Sequence, residues 1–282
     1  MAFKNVLCYG TINPDLMYFV DDVPTVGGDV RSNDYKIRPG GTAVNCAENI
    51  KNWNINTSVM GNCLGKDPLG EYMLSYLKDN EIGSENIVIN ECLTPTCSIY
   101  IDKNGERTII SSGYESCQWS DLNNIENYDS IIIDRYSIKY IKEKLNNNNL
   151  SDIFVTQAGY QEKIDYKIDF LVVSKDEIEV LEANRLLKEG LATWILLTSS
   201  SLPARLLSKD GVVEITPPDF KTINATGAGD VTAAYVASYG VEDVLSTTRN
   251  ACAAGAIVAG TDSLPSIEKI KEVSQLVDIK PR

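Results

Sequence analysis

The chain contains no histidine. That absence excludes Ser-His-Asp and Cys-His hydrolases, His-ligated zinc sites of the H-E-x-x-H kind, and imidazole acid–base chemistry. Any general base must then be Asp, Glu, Lys, Tyr or Cys. Positive charge is scarce as well: 26 Lys and Arg stand against 39 Asp and Glu, a net charge of -13. Nucleic-acid binding needs a dense basic stripe to displace counterions, and the sequence has none, so no nucleic-acid partner is expected. No apolar run approaches the roughly 18 residues that a membrane span requires, and nothing at the N-terminus reads as a signal peptide. The seven cysteines (Cys8, Cys46, Cys63, Cys92, Cys97, Cys117, Cys252) are odd in number and form no C-x-x-C pair. They read as small buried or free thiols of a reducing compartment, and the expected location is cytoplasmic.

What is present fits an α/β protein. At 282 residues the chain has material for one large α/β domain, or for a domain with a small appendage. Short apolar runs at 5–10, 57–60, 130–133, 153–155, 170–173 and 194–197 predict buried strands. Helical spacing predicts helices over 42–53, 68–78, 176–189, 230–239 and 244–259. In the 176–189 helix, Ile178, Leu181 and Leu186 form the apolar set. Strands spaced by helices imply parallel βαβ units with helices on both faces of a sheet. Residues 97–102 and 107–111 flank Lys103-Asn104-Gly105-Glu106, and Asn-Gly between alternating apolar residues predicts a type I′ hairpin. Residues 206–213 read as a second hairpin, and the asparagine run 146–149 as a loop. The first hairpin and the turn-rich stretch 17–37 interrupt the alternation, so both read as an excursion from the main sheet.

The most informative segment is Thr222-Ile-Asn-Ala-Thr-Gly-Ala-Gly-Asp230, running into an alanine-rich helix. Turn amides at a helix start favour an anion, because their N–H groups lack partners and the helix dipole adds positive potential. A carboxylate at that point repels an anion. Its use is to take a proton from a group that attacks the anion, which is the logic of phosphoryl transfer. Two other glycine readings are weaker. Gly61-Asn-Cys-Leu-Gly65-Lys66-Asp67 is one residue short of a phosphate loop and lacks its Ser or Thr. Gly227-x-Gly229 is half of a dinucleotide fingerprint, without the third glycine and far from a first βα turn, so a nucleotide-binding oxidoreductase has little support.

Ile223-Asn-Ala-Thr-Gly-Ala-Gly-Asp230 closely resembles the C-terminal motif of the ribokinase-like (PfkB) carbohydrate kinases. Gly40-Gly41-Thr-Ala-Val-Asn45 resembles their N-terminal Gly-Gly motif. The similarity continues, in order, through Tyr9-Gly-Thr-Ile-Asn13-Pro-Asp15, Gly65-Lys-Asp-Pro-Leu-Gly70, Asn104-Gly-Glu-Arg-Thr-Ile109 and Ala253-Ala-Gly-Ala-Ile257. The resemblance implies a three-layer α/β/α fold over residues 1–282, with a mostly parallel central sheet and a small β lid from about 14–38 and 93–112. It implies transfer of the ATP γ-phosphoryl group, with Mg²⁺, to a hydroxymethyl group of a sugar. Asp230 matches the catalytic base, and Gly227, Ala228 and Gly229 match the anion hole. Asn13, Asp15, Gly40, Gly41 and Asn45 match substrate-binding positions. Thr198, Thr226 and Cys252 match the ATP side, and Glu177 matches a carboxylate that organises Mg²⁺ through water. Pairing of lid edges into a homodimer is implied by the same analogy.

Departures from the family pattern cluster on the nucleotide side. Asn224 stands where the family carries Asp, which puts a monovalent cation in doubt. Ser174 replaces the amide of an Asn-x-x-Glu motif. Residues 198–203 lack the usual glycines, and the segment 252–265 is altered and shortened. The Asn224 form and the run Asn45-Cys-Ala-Glu-Asn49 resemble nucleoside kinases of the family, notably pseudouridine kinases. Two alternatives to a sugar kinase therefore stand beside it: a nucleoside kinase, and a catalytically degenerate sugar- or nucleoside-binding sensor.

Overall fold

The structure is a computed structural model that describes residues 1–147, 150, 152–199, 202–218, 220–221, 226–261 and 263–281. The chain opens with strand β1 (Asn5–Gly10), then β2 (Asn13–Phe19), β3 (Asp34–Gly40), helix α1 (Thr42–Asn52) and β4 (Asn56–Gly61). A short β5 (Leu64–Gly65), α2 (Pro68–Asp79) and β6 (Ile89–Asn90) lead to the hairpin β7 (Thr96–Ile101) and β8 (Arg107–Ser112). Next come β9 (Ser130–Asp134), α3 (Ile138–Asn147), β10 (Phe154–Ala158), β11 (Ile168–Ser174), α4 (Val180–Glu189) and β12 (Ala192–Thr198). The last part holds β13 (Ala204–Ser208), β14 (Gly211–Thr216), α5 (Ala228–Tyr239), α6 (Val244–Thr261), α7 (Ile267–Ser274) and β15 (Asp278–Pro281).

The main sheet has nine strands in the order β15-β14-β13-β12-β11-β10-β9-β1-β4. Pairing is parallel from β4 through β12 and antiparallel from β12 to β15. Each parallel strand is buried on both faces, which is why its apolar run is continuous; all of β9, Ser-Ile-Ile-Ile-Asp, is buried. The period of two still decides which layer each side chain joins. Val6 and Cys8 of β1 pack with α1, α5 and α6, whereas Leu7 and Tyr9 pack with α3 and α4. The result is the expected three-layer α/β/α arrangement.

A second sheet, in the order β3-β2-β7-β8, is built by the two excursions. β2 pairs antiparallel with β3 and parallel with β7, so segments far apart in sequence form one surface. Much of β3 is exposed, which explains why 17–37 carries so little apolar alternation.

Several local expectations change. The 97–112 hairpin is not type I′, which needs two left-handed residues: only Gly105 has positive φ, at 82°. Gly105 N–H donates to the Asp102 carbonyl, and the Asp102 carboxylate accepts from the amides of Asn104 and Glu106. That is a three-residue connection with a glycine bulge, set by the Asp102 side chain. α4 starts at Val180, not at 176, because Ser174–Ile178 closes a turn of its own in which the Glu177 amide donates to the Ser174 carbonyl. Leu181 consequently lies outside the apolar face, 80% exposed. α3 also reaches Asn147, into the run expected as loop; Asn148 and Asn149 lie outside the described residues. The Gly61–Asp67 stretch is a helix cap, not a phosphate loop. Asp67 accepts from the Gly70 amide at 2.8 Å with Pro68 opening α2, and Lys66 pairs with Glu91 on the surface.

Candidate active site

The carboxyl ends of the parallel strands meet at one edge, the usual gathering point of functional groups in an open α/β sheet. Asp134 ends β9 there, fully buried. The Thr11 amide and hydroxyl donate to one of its oxygens at 2.7 and 2.8 Å; the Ser137 and Tyr136 amides donate to the other at 2.8 and 3.0 Å. Burial raises its pKa against these hydrogen bonds. The Asp134 carboxyl also occupies the space that a Cβ on Gly10 would need, so β1 must end in glycine.

Past Gly10 the chain enters β2 and carries Asn13 and Asp15 toward α1. The β2–β3 register sets Asn13 opposite Gly40 and Asp15 opposite Arg38. A Cβ on Gly40 would fall 2.4 Å from the Asp15 carboxyl, so this glycine makes room for the acid. Gly41, at φ 88°, brings its Cα close to the Thr11 carbonyl, which a side chain would forbid. Asn13 is buried, with both ends of its amide engaged: Nδ2 donates to Asp15 at 2.7 Å, and Oδ1 accepts from the Tyr114 hydroxyl at 2.7 Å. It orients Asp15. Burial pushes the Asp15 pKa up to about 6; Asn13 opposes the shift, and the negative charges of Asp230 and Glu48 add to it.

Two helix starts face this region, and hydrogen bonding tells them apart. The first amides of α1 are engaged: Thr42 and Ala43 donate to the side chain and carbonyl of Thr11. In α5 the cap is Gly227, left-handed at φ 78°, and the first helical bond runs from the Val231 amide to the Gly227 carbonyl. The Ala228, Gly229 and Asp230 amides precede that bond and have no acceptor within the helix. No atom lies within 4 Å of where a Cβ on Gly229 would sit, so the approach to this turn is open.

Asp230 joins the two elements. Asn45 on α1 donates from Nδ2 to Asp230 Oδ2 at 2.7 Å, and the Cys46 thiol donates to its backbone carbonyl. The carboxylate is half-buried. Desolvation pushes its pKa up to about 6, with Asn45, Arg135 and Thr42 opposing and Asp134 adding to the rise. A carboxylate near that value is charged at neutral pH and is a stronger base than an ordinary aspartate. Gly227 and Asn45 both line a cavity of about 290 Å³, together with Asp15.

The other expected residues lie on or beside neighbouring elements. Glu177 pairs with Arg135 and accepts from the Ser174 amide at 3.1 Å. Thr198 ends β12 opposite Ser174, and its hydroxyl donates to the Val173 carbonyl. Thr226 lines the cavity. Cys252, on α6, is buried in the core, where burial pushes its thiol up to about 12. Asn224 lies outside the described residues. Among the described residues no three potential metal ligands cluster, and no helix is long and apolar enough to cross a membrane.

Sequence reasoning missed Asp134, Arg135 and Tyr114, and gave Glu48 and Asn49 no site role beyond the run that resembles nucleoside kinases. For Glu48 and Asn49 a signal existed, since they follow Asn45 by three and four residues on one helix face. For Tyr114, remote in sequence from Asn13, none did.

The chain is similar to known carbohydrate kinases along most of its length. Residues 4–267 match the model of the pfkB family carbohydrate kinases. A ribokinase of Lactococcus lactis is 25% identical over 241 residues, 78% of each chain. A ribokinase of Dictyostelium discoideum is 33% identical over 117 residues, which span 39% of this chain and only 35% of that protein. Among solved structures, the Thermotoga maritima ribokinase superposes with a TM-score of 0.79 at 17% identity, covering 96% of this chain and 99% of its own. The Methanocaldococcus jannaschii nucleoside kinase, at 20% identity, gives 0.75 over 97% and 98%.

Proposed function

This chain belongs to the pfkB family of carbohydrate kinases, which are phosphotransferases with an alcohol acceptor, and we propose that it moves the ATP γ-phosphoryl group onto a hydroxymethyl group of a sugar. The observation that carries this reading is Asp230: a half-buried carboxylate at the open N-terminus of α5, held by Asn45 and raised toward neutrality. In the proposed reaction Asp230 takes the hydroxyl proton as the oxygen attacks phosphorus. The amides of 227–229 stabilise charge on the transferring group. Asp15, steered by Asn13, binds acceptor hydroxyls, and Asn45 fixes the carboxylate that removes the proton. Gly40 leaves room for Asp15, and Gly41 for Thr11 and Asn13.

Magnesium fits the donors present. Mg²⁺ carried on a triphosphate asks little of the protein, commonly one or two carboxylates and water, and Glu177 would supply one. When bound, the ion neutralises phosphate charge; the chain's own part is to release Glu177 from Arg135. The β2–β3–β7–β8 sheet acts as a lid that excludes water. Its exposed Tyr35, Ile37, Ile109 and Ile110 suit a homodimer through the lid. Seven uncrosslinked thiols suit the cytoplasm.

ADP release across a panel of ketoses, aldoses and nucleosides, with wild type and Asp230→Asn, tests the reading. Turnover that survives Asp230→Asn removes the base assignment. Tight binding without ADP release from any acceptor favours a sensor instead.

A further inference from the structure

Arg135 occupies a position that its pairing with Glu177 does not use up. It follows Asp134 at the carboxyl end of β9, and its amide donates at 3.0 Å to the carbonyl of Ala158, the last residue of β10. Gly159 comes next at φ 80°, and a Cβ there would lie 3.0 Å from Arg135 Cδ. The bare glycine lets the arginine stem cross the end of β10 and reach the turn after β11, where Nη1 donates to Glu177. Nη2 donates to the Tyr136 hydroxyl at 2.8 Å, with Cζ 4.8 Å from the centre of that ring. The side chain therefore spans the carboxyl ends of three parallel strands. α5 packs against the same three, β9, β10 and β11, and carries Asp230 in its first turn. Arg135 is near enough to that carboxylate to oppose the rise in its pKa.

Charge at this edge is otherwise adverse to phosphate. Asp230 must be ionised to act as a base, and Asp134 adds to the rise in its pKa. The 227–229 amides offer only the partial charges of a helix start. A phosphoryl group passing beside Asp230 is therefore helped by a full positive charge close by. Arginine suits that task, because its planar fork of donors matches phosphate oxygens and it stays protonated throughout. The present pairing is no obstacle. The Arg135 and Glu177 side chains are 32% and 26% exposed, and an ion pair that water reaches adds little to the fold. A triphosphate carrying magnesium offers each partner its opposite charge, so both can leave the pair together.

We propose that Arg135 is a catalytic residue that binds the γ-phosphoryl group: as the nucleotide binds, the Arg135–Glu177 pair parts, the guanidinium takes the phosphoryl oxygens, and Glu177 is left to the magnesium. In the transfer the acceptor oxygen bonds to phosphorus and the bond to the ADP oxygen breaks. Asp230 takes the hydroxyl proton, and Arg135 keeps all of its own. The proposal rests on the kinase reading for what binds at the start of α5. To that reading it adds a cation lying outside every segment that resembles the family.

The test is calorimetric binding of ADP and of the non-hydrolysable β,γ-imido analogue of ATP, together with ADP release. The proteins are wild type, Arg135→Met, Arg135→Lys, Glu177→Gln and the variant combining Arg135→Met with Glu177→Gln, each checked for an unchanged melting profile. At saturating magnesium, Arg135→Met should weaken the triphosphate analogue about tenfold and ADP by less than about twofold, because charge-assisted bonds to one phosphate are lost. Arg135→Lys keeps the charge without the fork, and its loss should be about threefold. kcat should fall about tenfold or more in Arg135→Met. In EDTA, Glu177→Gln should bind the analogue about threefold more tightly, since the guanidinium has lost its competing carboxylate, and this gain should shrink toward unity when Arg135→Met is added. An analogue-to-ADP affinity ratio unchanged in Arg135→Met, or a gain from Glu177→Gln equal in both backgrounds, overturns the assignment. Should Arg135→Met melt early, Arg135→Lys takes its place, and an unchanged ratio there overturns it as well. Turnover by wild type beside any of these results leaves the kinase reading intact. Wild type that neither binds nucleotide nor releases ADP with any sugar or nucleoside sinks that reading itself.

Discussion

The proposed acceptor half of the site and the proposed nucleotide half are held in different ways. In the acceptor half the polar groups hold one another: Tyr114 holds Asn13, Asn13 holds Asp15, and Asn45 holds Asp230. In the nucleotide half they are engaged with the scaffold, Glu177 with Arg135 and Thr198 with the Val173 carbonyl. Acceptor groups arranged before any ligand arrives lose little freedom on binding, whereas Glu177, in the proposed metal role, would exchange one partner for another. The departures noted in the sequence fall on the second half.

The largest test of this contrast is Asp230→Asn. It should lower kcat by roughly a hundred- to ten-thousand-fold, the range for a positioned general base, while acceptor binding measured by calorimetry persists. The same variant should melt higher at about pH 8. The folded carboxyl holds its proton more tightly than an unfolded aspartate, so its charge costs stability above about pH 6 and the cost fades as pH falls through that value. Removing the charge should recover up to about 3 kcal/mol. A variant that melts lower would mean that Asn45 and Thr42 repay the burial of the charge.

Acidification is next in size. Both Asp15 and Asp230 are pushed up to about 6, and the base must be charged to act. The pH profile of kcat/KM should therefore fall below about pH 6, reaching a loss of about tenfold to a hundredfold near pH 5. A profile flat to about pH 5 would detach these two carboxylates from catalysis.

Gly40→Ala separates the halves directly. The new Cβ would displace the Asp15 carboxyl, raising the acceptor KM about tenfold or more and leaving the ATP KM within about twofold. Equal damage to both constants would show that the halves are coupled through the second sheet. The smallest effect is on the other side. Arg135→Met frees Glu177 from a partly exposed ion pair worth about 1 kcal/mol, so the half-saturating Mg²⁺ in ADP-release assays should fall about fivefold. An unchanged magnesium dependence would take Glu177 out of the metal assignment.

Much of the main sheet was legible because parallel strands are buried on both faces and read as unbroken apolar runs. Strand ends shifted by a residue or two, and the outer elements α7 and β15 gave no sequence signal that was read. β3 was illegible for the opposite reason, being largely exposed. At the site, Asp230 and the 227–229 turn stood out because helix-start chemistry is local. Gly40 stood out too, but the space it leaves is filled by Asp15 from the neighbouring strand, which spacing alone does not reveal.

By itself, the sequence pointed to the reaction class and to Asp230 as its proposed base. Without histidine, a carboxylate at a glycine turn entering a helix is well placed to take a proton beside a phosphate, and that chemistry needs only neighbours in the chain. Tertiary structure decided everything that depends on distance between segments: the approach of Asn45 to Asp230, the hold of Tyr114 on Asn13, and the pairing of Arg135 with Glu177. The physical reason is that desolvation and pairing set the pKa values, and both follow from packing of residues remote in sequence.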